Sequence, residues 1–161
     1  MAIREKTTIK MRMEGVAQSH ARTDVSIRGL VKVIDEPIER GGTNQGMSPT
    51  ETFAASLVGC TNVISHKIAH RMGIELHAMA IHLEADFDRR GVTLADDVKV
   101  PFPAMTLTMD VTTDATPQQM EQLQTELAMY CPIAKLVRAS GTQLTEVWNI
   151  TPRRCAPAIT V

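Results

Sequence analysis

The chain has 161 residues, a length typical of one domain, and its 17 Lys and Arg residues nearly balance 18 Asp and Glu residues. The formal net charge of −1 argues against nucleic-acid binding through general charge and against an acidic, disordered chain. Apolar residues make up 43% of the chain and aromatic residues 3%, so we expect an aliphatic, methionine-rich core without a stacking platform for bases.

Neither the first residues of the chain nor its apolar middle predicts an export signal or a membrane span. The first ten residues carry no apolar run of the kind that a secretory signal peptide needs. No window approaches the roughly 18 apolar residues of a membrane span, and no repeat or linker divides the chain. We therefore expect one domain over residues 1–161, located in the cytoplasm and not associated with membranes.

The first 48 residues predict a β-hairpin followed by a long loop. Apolar and polar residues alternate over 5–17 and again over 24–34, which predicts two strands, and the polar residues 19–23 predict the turn between them. Residues 35–48 are rich in glycine and also contain Pro37 and Asn44, which predicts a loop. Long loops in compact domains are often functional.

The next element is a long helix with clear end signals. Ser48, Pro49 and Glu51 form the pattern of a capping box with proline at the first helical position, and Gly73 is a good residue to follow the last turn. We expect the helix to end at Met72. Apolar residues surround most of the circumference of its first half, and one domain of this size can hardly cover such a helix, so we expect a homodimer.

The remaining residues complete an α+β pattern. We predict a strand over 74–88 with a bulge at 80–81, a charged loop over 89–101 and a strand over 104–112. A helix over 117–130, capped by Asp114, a short helix over 132–139, a strand over 142–150 and an irregular end over 151–161 follow. The order β-β-α-β-β-α-α-β predicts an α+β fold with largely antiparallel sheets.

Three cysteines are too few for a disulfide framework or a Cys₄ zinc site, but two of them occupy informative positions. Cys60 lies in the middle of the apolar helix, where it is either an inert small hydrophobe or a nucleophile that needs a nearby cation. Cys131 precedes Pro132 at a predicted helix N-terminus, whose dipole favours a thiolate, although any small polar residue could cap that helix. By this reasoning Cys131 is the more acidic thiol. Cys155, beside two arginines near the end of the chain, is interpreted as a bystander.

Whether Cys60 and Cys131 meet cannot be read from the pattern. A disulfide needs Cα atoms within about 7 Å, and two helices in contact could provide that distance at their contact line. Their meeting is therefore a hypothesis at this point.

Two separated motifs resemble those of the OsmC/Ohr family of thiol peroxidases. The first is GGTNQGMSPTETFAASLVGCT over residues 41–61, preceded by Asp35-Glu36-Pro37, and the second is CPIAK over residues 131–135. The resemblance covers nearly the whole chain. It implies an intertwined homodimer with two long central helices and active sites at the subunit interface. It also implies reduction of organic hydroperoxides and, less efficiently, of hydrogen peroxide.

The resemblance further implies roles for single residues. Cys60 would be the peroxidatic thiolate and Cys131 the resolving thiol, with no cofactor and with a dithiol, such as a lipoyl group, or a small thiol as the reductant. The family stabilises its thiolate with an Arg from the turn between the first two strands. In this sequence that residue is Arg22, and Arg28 is the next candidate.

In the family a Glu near the start of the central helix holds the Arg, and Glu51 is the corresponding acid here. The Ohr branch has its Glu one place earlier, where this chain has Thr50. Helical geometry places Glu51 on the opposite face from Cys60 and about 13 Å along the axis, so it cannot touch Cys60 of its own helix. Glu51 either reaches an Arg across the interface or acts only in the capping box.

Two other interpretations remain open. The departure at Thr50 leaves room for a non-catalytic OsmC-like stress or small-molecule-binding protein. His66 and His70 lie one helical turn apart and could bind a metal with Cys60, but Cys60 lies on another face of the helix. Histidines that face solvent explain this spacing better.

Overall fold

The computed structural model describes residues 7–153, so Cys155 and the predicted irregular end beyond residue 153 lie outside the described residues. The chain divides into two compact units, one ending at Phe53 and the other beginning at Ala54. The single domain over 1–161 stays a prediction. No helix within residues 7–153 is long and apolar enough to cross a membrane.

The first unit contains a three-stranded antiparallel sheet. Its strands β1 (Glu14–Ala17), β2 (Arg22–Ile27) and β3 (Leu30–Asp35) are neighbours in chain order. The prediction of one strand over 24–34 is wrong, because Arg28 and Gly29 adopt φ values of 54° and 78° and turn the chain between β2 and β3. Positive φ at both central residues is the geometry that matches the twist of a two-residue hairpin.

The long helix α1 (Pro49–Met72) has the predicted ends. A single 3₁₀ turn at Ile38–Arg40 lies within the predicted loop before it. Gly73 follows the last residue of α1 and has a φ of 68°. Its N–H donates to the carbonyl of His70, which closes the final turn of the helix.

The second unit contains the sheet of β4 (Leu76–Ala85), β5 (Ala104–Thr113) and β6 (Gln143–Thr151), in that order. β4 and β5 are antiparallel, whereas β5 and β6 are parallel. A parallel pair needs a long crossover, and α2 (Pro117–Tyr130) and α3 (Pro132–Ala139) supply it. The predicted α+β class is confirmed.

Two local predictions in this unit are wrong. The register of β4 against β5 shifts between Leu76 and Ala78 and not at 80–81. The N-cap of α2 is Thr116 and not Asp114, because Pro117 occupies the first helical position and makes the residue before it the cap. The Thr116 hydroxyl accepts from the Gln119 N–H at 3.3 Å, and the Gln119 side chain accepts from the Thr116 N–H at 2.8 Å.

The core of the second unit is aliphatic and rich in methionine, as the composition predicts. Its largest fully buried apolar side chains are Leu57, Met105, Leu107, Met109, Met120, Leu123, Leu127, Val111 and Val137. On α1 the buried residues Leu57, Thr61, Ser65 and Ile68 recur every three or four positions and define one face, whereas Val63 is exposed. The homodimer that would cover the exposed side of α1 stays a prediction.

Candidate active site

Two free thiols are in contact inside the second unit. Cys60 on α1 and Cys131 between α2 and α3 bring their Sγ atoms to 3.2 Å, although 71 residues separate them in the chain. A disulfide bond is about 2.05 Å long, so the sulfurs need to approach by only about 1.2 Å to form one. The meeting that the sequence left open is therefore present in the fold, and the pair can store two electrons by opening and closing a disulfide.

The position of Cys131 follows from the proline after it. Pro132 has no N–H to continue α2 and is well suited to start α3, so the chain passes from one helix to the next at Cys131. The Cys131 N–H donates to the Leu127 carbonyl at 2.9 Å, and its sulfur accepts from the Ala134 N–H at 3.5 Å. One residue thus ends α2 and caps α3 while its side chain is completely buried.

Burial decides the protonation of Cys131. It raises the pKa of the Cys131 thiol to about 11, and the N–H groups of Ala134 and Ile133 offset this effect only in part. The expectation that the helix N-terminus favours a Cys131 thiolate is therefore wrong, because desolvation outweighs the cap. Cys131 stays protonated at neutral pH, and its S–H group donates a hydrogen bond to the sulfur of Cys60.

Cys60 differs from its partner in accessibility. Its side chain is half-buried and packs against the apolar core, whereas Cys131 is fully buried. The pair thus consists of one half-buried cysteine that accepts a hydrogen bond and one fully buried thiol that donates it.

The two candidate arginines lie in the first unit and differ in how they are held. Arg22 begins β2, is half-buried and donates from Nε and Nη2 to the Asp24 carboxylate at 2.9 and 3.1 Å and from Nη1 to Gln45 Oε1. The hydrogen bond to Asp24 raises the pKa of the Arg22 guanidinium above its usual value. Arg28 is exposed at the hairpin turn.

Glu51 forms the capping box that the sequence predicts. Its carboxylate accepts from the Ser48 N–H at 2.8 Å, and the Ser48 hydroxyl accepts from the Glu51 N–H at 3.3 Å. The Ser48 N–H contributes most to lowering the pKa of the Glu51 carboxyl group. Within residues 7–153 no ion pair joins Glu51 to Arg22. The structure thus places Glu51 at the helix N-terminus as a cap.

Sequence reasoning missed a buried carboxylate in the loop of the first unit. Asp35 is fully buried, and its Oδ2 accepts from the Thr43 hydroxyl at 2.6 Å, the Thr43 N–H at 3.0 Å and the Gln45 N–H at 3.1 Å. The Thr43 hydroxyl contributes most to lowering the pKa of Asp35. The signal for this role was an Asp at a strand end before a glycine-rich segment, because short side-chain acceptors bind neighbouring N–H groups in such loops.

The metal interpretation has no support in the described part of the chain. Residues 7–153 contain no group of three or more His, Cys, Asp and Glu residues that could hold a metal ion, so Cys60, His66 and His70 do not form one. The Nδ1 atom of His66 lies 3.0 Å from the carbonyl oxygen of Asn62 on its own helix.

Comparison with known proteins gives one family and one fold. The family model described as OsmC-like protein matches residues 42–147, whereas no curated protein matches the chain. The OsmC-like protein of Mycoplasma pneumoniae superposes with a TM-score of 0.71 at 11% identity, over 91% of this chain and 99% of that one.

Two further structures share the fold at low identity. The organic hydroperoxide resistance protein OsmC of Legionella pneumophila gives a TM-score of 0.62 at 16% identity, over 89% of this chain and 99% of that one. An organic hydroperoxide resistance protein of Elizabethkingia anophelis gives 0.64 at 13% identity, over 91% and 100%. At these identities the likeness establishes the fold of this chain.

Proposed function

Because this chain belongs to the family of OsmC-like proteins, we propose that it is a thiol-dependent peroxidase that reduces organic hydroperoxides and, less efficiently, hydrogen peroxide. The observation that carries the proposal is the 3.2 Å contact between Cys60 and Cys131. Two proteins of the same fold are named for organic hydroperoxide resistance, which supports the same substrate class.

The first step uses Cys60, the less buried cysteine of the pair. Its thiolate attacks one oxygen of the peroxide, the O–O bond breaks, and Cys60 becomes a sulfenic acid while the other oxygen takes up a proton and leaves as an alcohol. The sulfur is oxidised by two electrons and the peroxide is reduced by two. The apolar side chains that pack near Cys60 favour a peroxide with an organic substituent.

The second step uses Cys131. Its sulfur attacks the sulfur of the Cys60 sulfenic acid, the hydroxyl leaves as water with the proton that Cys131 held, and a Cys60–Cys131 disulfide forms. A high pKa suits this order, because Cys131 stays neutral until the leaving hydroxyl can take its proton. A dithiol such as a lipoyl group, or a small thiol, then supplies two electrons and two protons and restores both thiols.

Arg22 is the residue to which we assign stabilisation of the Cys60 thiolate and polarisation of the peroxide. It is half-buried and held by two partners, whereas Arg28 lies exposed in a turn. To Glu51 we assign the capping of α1, since its carboxylate is bonded to Ser48. A guanidinium near a thiolate favours the charged form of the sulfur by direct Coulomb attraction.

The working unit in this proposal is a homodimer in the cytoplasm. Val63 on α1, Met129 on α2 and Leu136 on α3 are exposed apolar side chains that a partner subunit would cover. A pair of free thiols fits a compartment in which thiols stay reduced.

A peroxide-consumption assay tests the proposal. Purified protein is mixed with cumene hydroperoxide and dihydrolipoamide, and the loss of peroxide is followed with time. We expect Cys60→Ser to reduce turnover to the uncatalysed background, and Cys155→Ser, the matched control, to retain it. Full turnover by Cys60→Ser, or none by the native protein, would overturn the proposal.

A further inference from the structure

The guanidinium of Arg22 has a defined set of partners within the first unit. Nε and Nη2 donate to the two carboxylate oxygens of Asp24, and Nη1 donates to Gln45 Oε1. A guanidinium carries five N–H groups in a rigid plane. Three are thus engaged, and two have no hydrogen bond within residues 7–153 and are available for a further acceptor.

Within residues 7–153, the residues at the start of α1 make no ion pair with Arg22. The Glu51 carboxylate is bonded to the Ser48 N–H at 2.8 Å, and the Thr50 hydroxyl lies 3.2 Å from the Ser48 hydroxyl. Both positions at which the family resemblance places an acid are therefore committed to the helix N-terminus. Asp24 instead supplies a carboxylate, and it supplies both of its oxygens in the planar fork that fixes an Arg most firmly.

The loop around Gln45 is itself anchored to the sheet. Asp35 lies opposite Arg22 in the register of β2 and β3, and its Oδ2 accepts from the N–H groups of Gln45 and Thr43. Arg22 and Asp24 are two residues apart in β2, so their side chains lie on the same face of the strand. Asp24 and Gln45 therefore hold the guanidinium from two separately fixed segments.

We propose that Asp24, assisted by Gln45, is the positioning residue of Arg22, in the role that the family resemblance gives to a Glu at the start of the central helix. The inference rests on the proposed function, since it concerns how Arg22 is presented to Cys60 and the peroxide. The fork fixes the plane of the guanidinium and leaves two of its N–H groups without a hydrogen bond in the described part of the chain. Asp24 acts through Arg22 and touches no reacting atom.

The test replaces each member of the fork and reads out the thiol as well as turnover. We expect Asp24→Asn to lower peroxide turnover about tenfold and to move the pH profile of Cys60 alkylation by iodoacetamide to higher pH. Arg22→Ala should lower turnover about a hundredfold. The double variant should be no slower than Arg22→Ala alone, because Asp24 acts only through Arg22.

Conservative and matched variants separate positioning from general damage. We expect Asp24→Glu, which keeps the carboxylate, to recover part of the turnover that Asp24→Asn loses. Asp88→Asn is the control: Asp88 makes a similar fork with Arg90 in the loop between β4 and β5, at 2.6 and 3.1 Å, and should keep native turnover. Thermal unfolding of every variant excludes loss of the fold as the cause.

The outcomes distinguish this inference from the proposed function. Native turnover and a native alkylation profile in Asp24→Asn, together with a loss in Arg22→Ala, would overturn the positioning role and leave the peroxidase cycle intact. A double variant that is slower by the product of the two single effects would also overturn it. Native turnover in Arg22→Ala would remove both the positioning role and the function assigned to Arg22, whereas Cys60→Ser alone tests the cycle.

Discussion

Two fully buried polar groups, the Cys131 thiol in the second unit and the Asp35 carboxyl in the first, have pKa values shifted in opposite directions. The pKa of Cys131 is raised to about 11, whereas the pKa of Asp35 is lowered. The Cys131 sulfur accepts a long bond of 3.5 Å from the Ala134 N–H, whereas one oxygen of Asp35 accepts three bonds between 2.6 and 3.1 Å. The number and closeness of donors decide whether a buried group carries charge.

The two groups therefore differ in what their surroundings must provide. A group that is neutral at rest, such as the Cys131 thiol, can lie among aliphatic side chains, and in the proposed cycle it loses its proton only when the disulfide forms. A permanent charge such as Asp35 needs its own donors and in return fixes a loop. The thiol site should therefore depend on packing and the loop on hydrogen bonds, and the substitutions below test that contrast.

The largest expected effect is a loss of packing beside the thiols. Leu127 is 1% exposed, and its carbonyl accepts the N–H of Cys131. We expect Leu127→Ala to lower the free energy of unfolding by about 3 kcal/mol, measured by urea denaturation, because it leaves a cavity in an aliphatic core. Met129→Ala, at a 55% exposed site of the same helix, should change it by less than about 0.5 kcal/mol. Equal effects at the two sites would contradict the dependence on packing.

Next in size is the loss of Cys131, the thiol to which we assign the resolving role. We expect Cys131→Ser to lower steady-state peroxide turnover at least about tenfold, because the hydroxyl cannot form a disulfide with the oxidised Cys60. The sulfenic acid at Cys60 should then accumulate and be trapped by dimedone, as mass spectrometry would show. Native turnover without a trapped adduct would mean that Cys131 has no part in the cycle.

A pH-dependent effect should follow from Asp35. Its pKa is lowered in the folded chain, so its contribution to stability is complete above about pH 4, the unfolded value, and is lost as the pH falls through the folded value. We expect Asp35→Asn to lower Tm by a few degrees at pH 7. The gap between native and variant Tm should shrink as the pH is lowered below 4. A gap that stays constant with pH would show that the charge of Asp35 does not hold the loop.

The smallest effect is expected at the helix caps. We expect Ser48→Ala to lower the free energy of unfolding by about 1 kcal/mol, since it removes the hydroxyl that accepts the Glu51 N–H. Thr116→Ala at the start of α2 provides the matched measurement in the second unit and should cost about the same. A cost near zero at Ser48 alone would mean that Glu51 and its N–H find other partners.

The helices of this fold could be predicted from the sequence because their end signals are local. Ser48, Pro49 and Gly73 mark α1, and Pro132 marks the change from α2 to α3. The hairpin turn at Arg28 and Gly29 was missed because Arg is rare at the first position of such a turn. The parallel pairing of β5 with β6 depends on contacts between distant segments, which no local pattern encodes.

The candidate site was predicted in part. Motif position identified Cys60 and Cys131, but their contact spans 71 residues and required the fold. The acidity of Cys131 was misjudged because its complete burial is a tertiary property. Asp24 was not predicted as a site residue because its hydrogen bonds with Arg22 require both side chains to lie on the same face of β2.

The most direct test of the account is the fate of the two sulfurs after a single oxidation. The reduced protein is treated with one equivalent of cumene hydroperoxide, the remaining thiols are blocked, and the peptides are mapped by mass spectrometry without reduction. The account predicts one crosslink between Cys60 and Cys131, with Cys155 recovered in the blocked form. Oxidised protein in which Cys60 and Cys131 are not joined would contradict it.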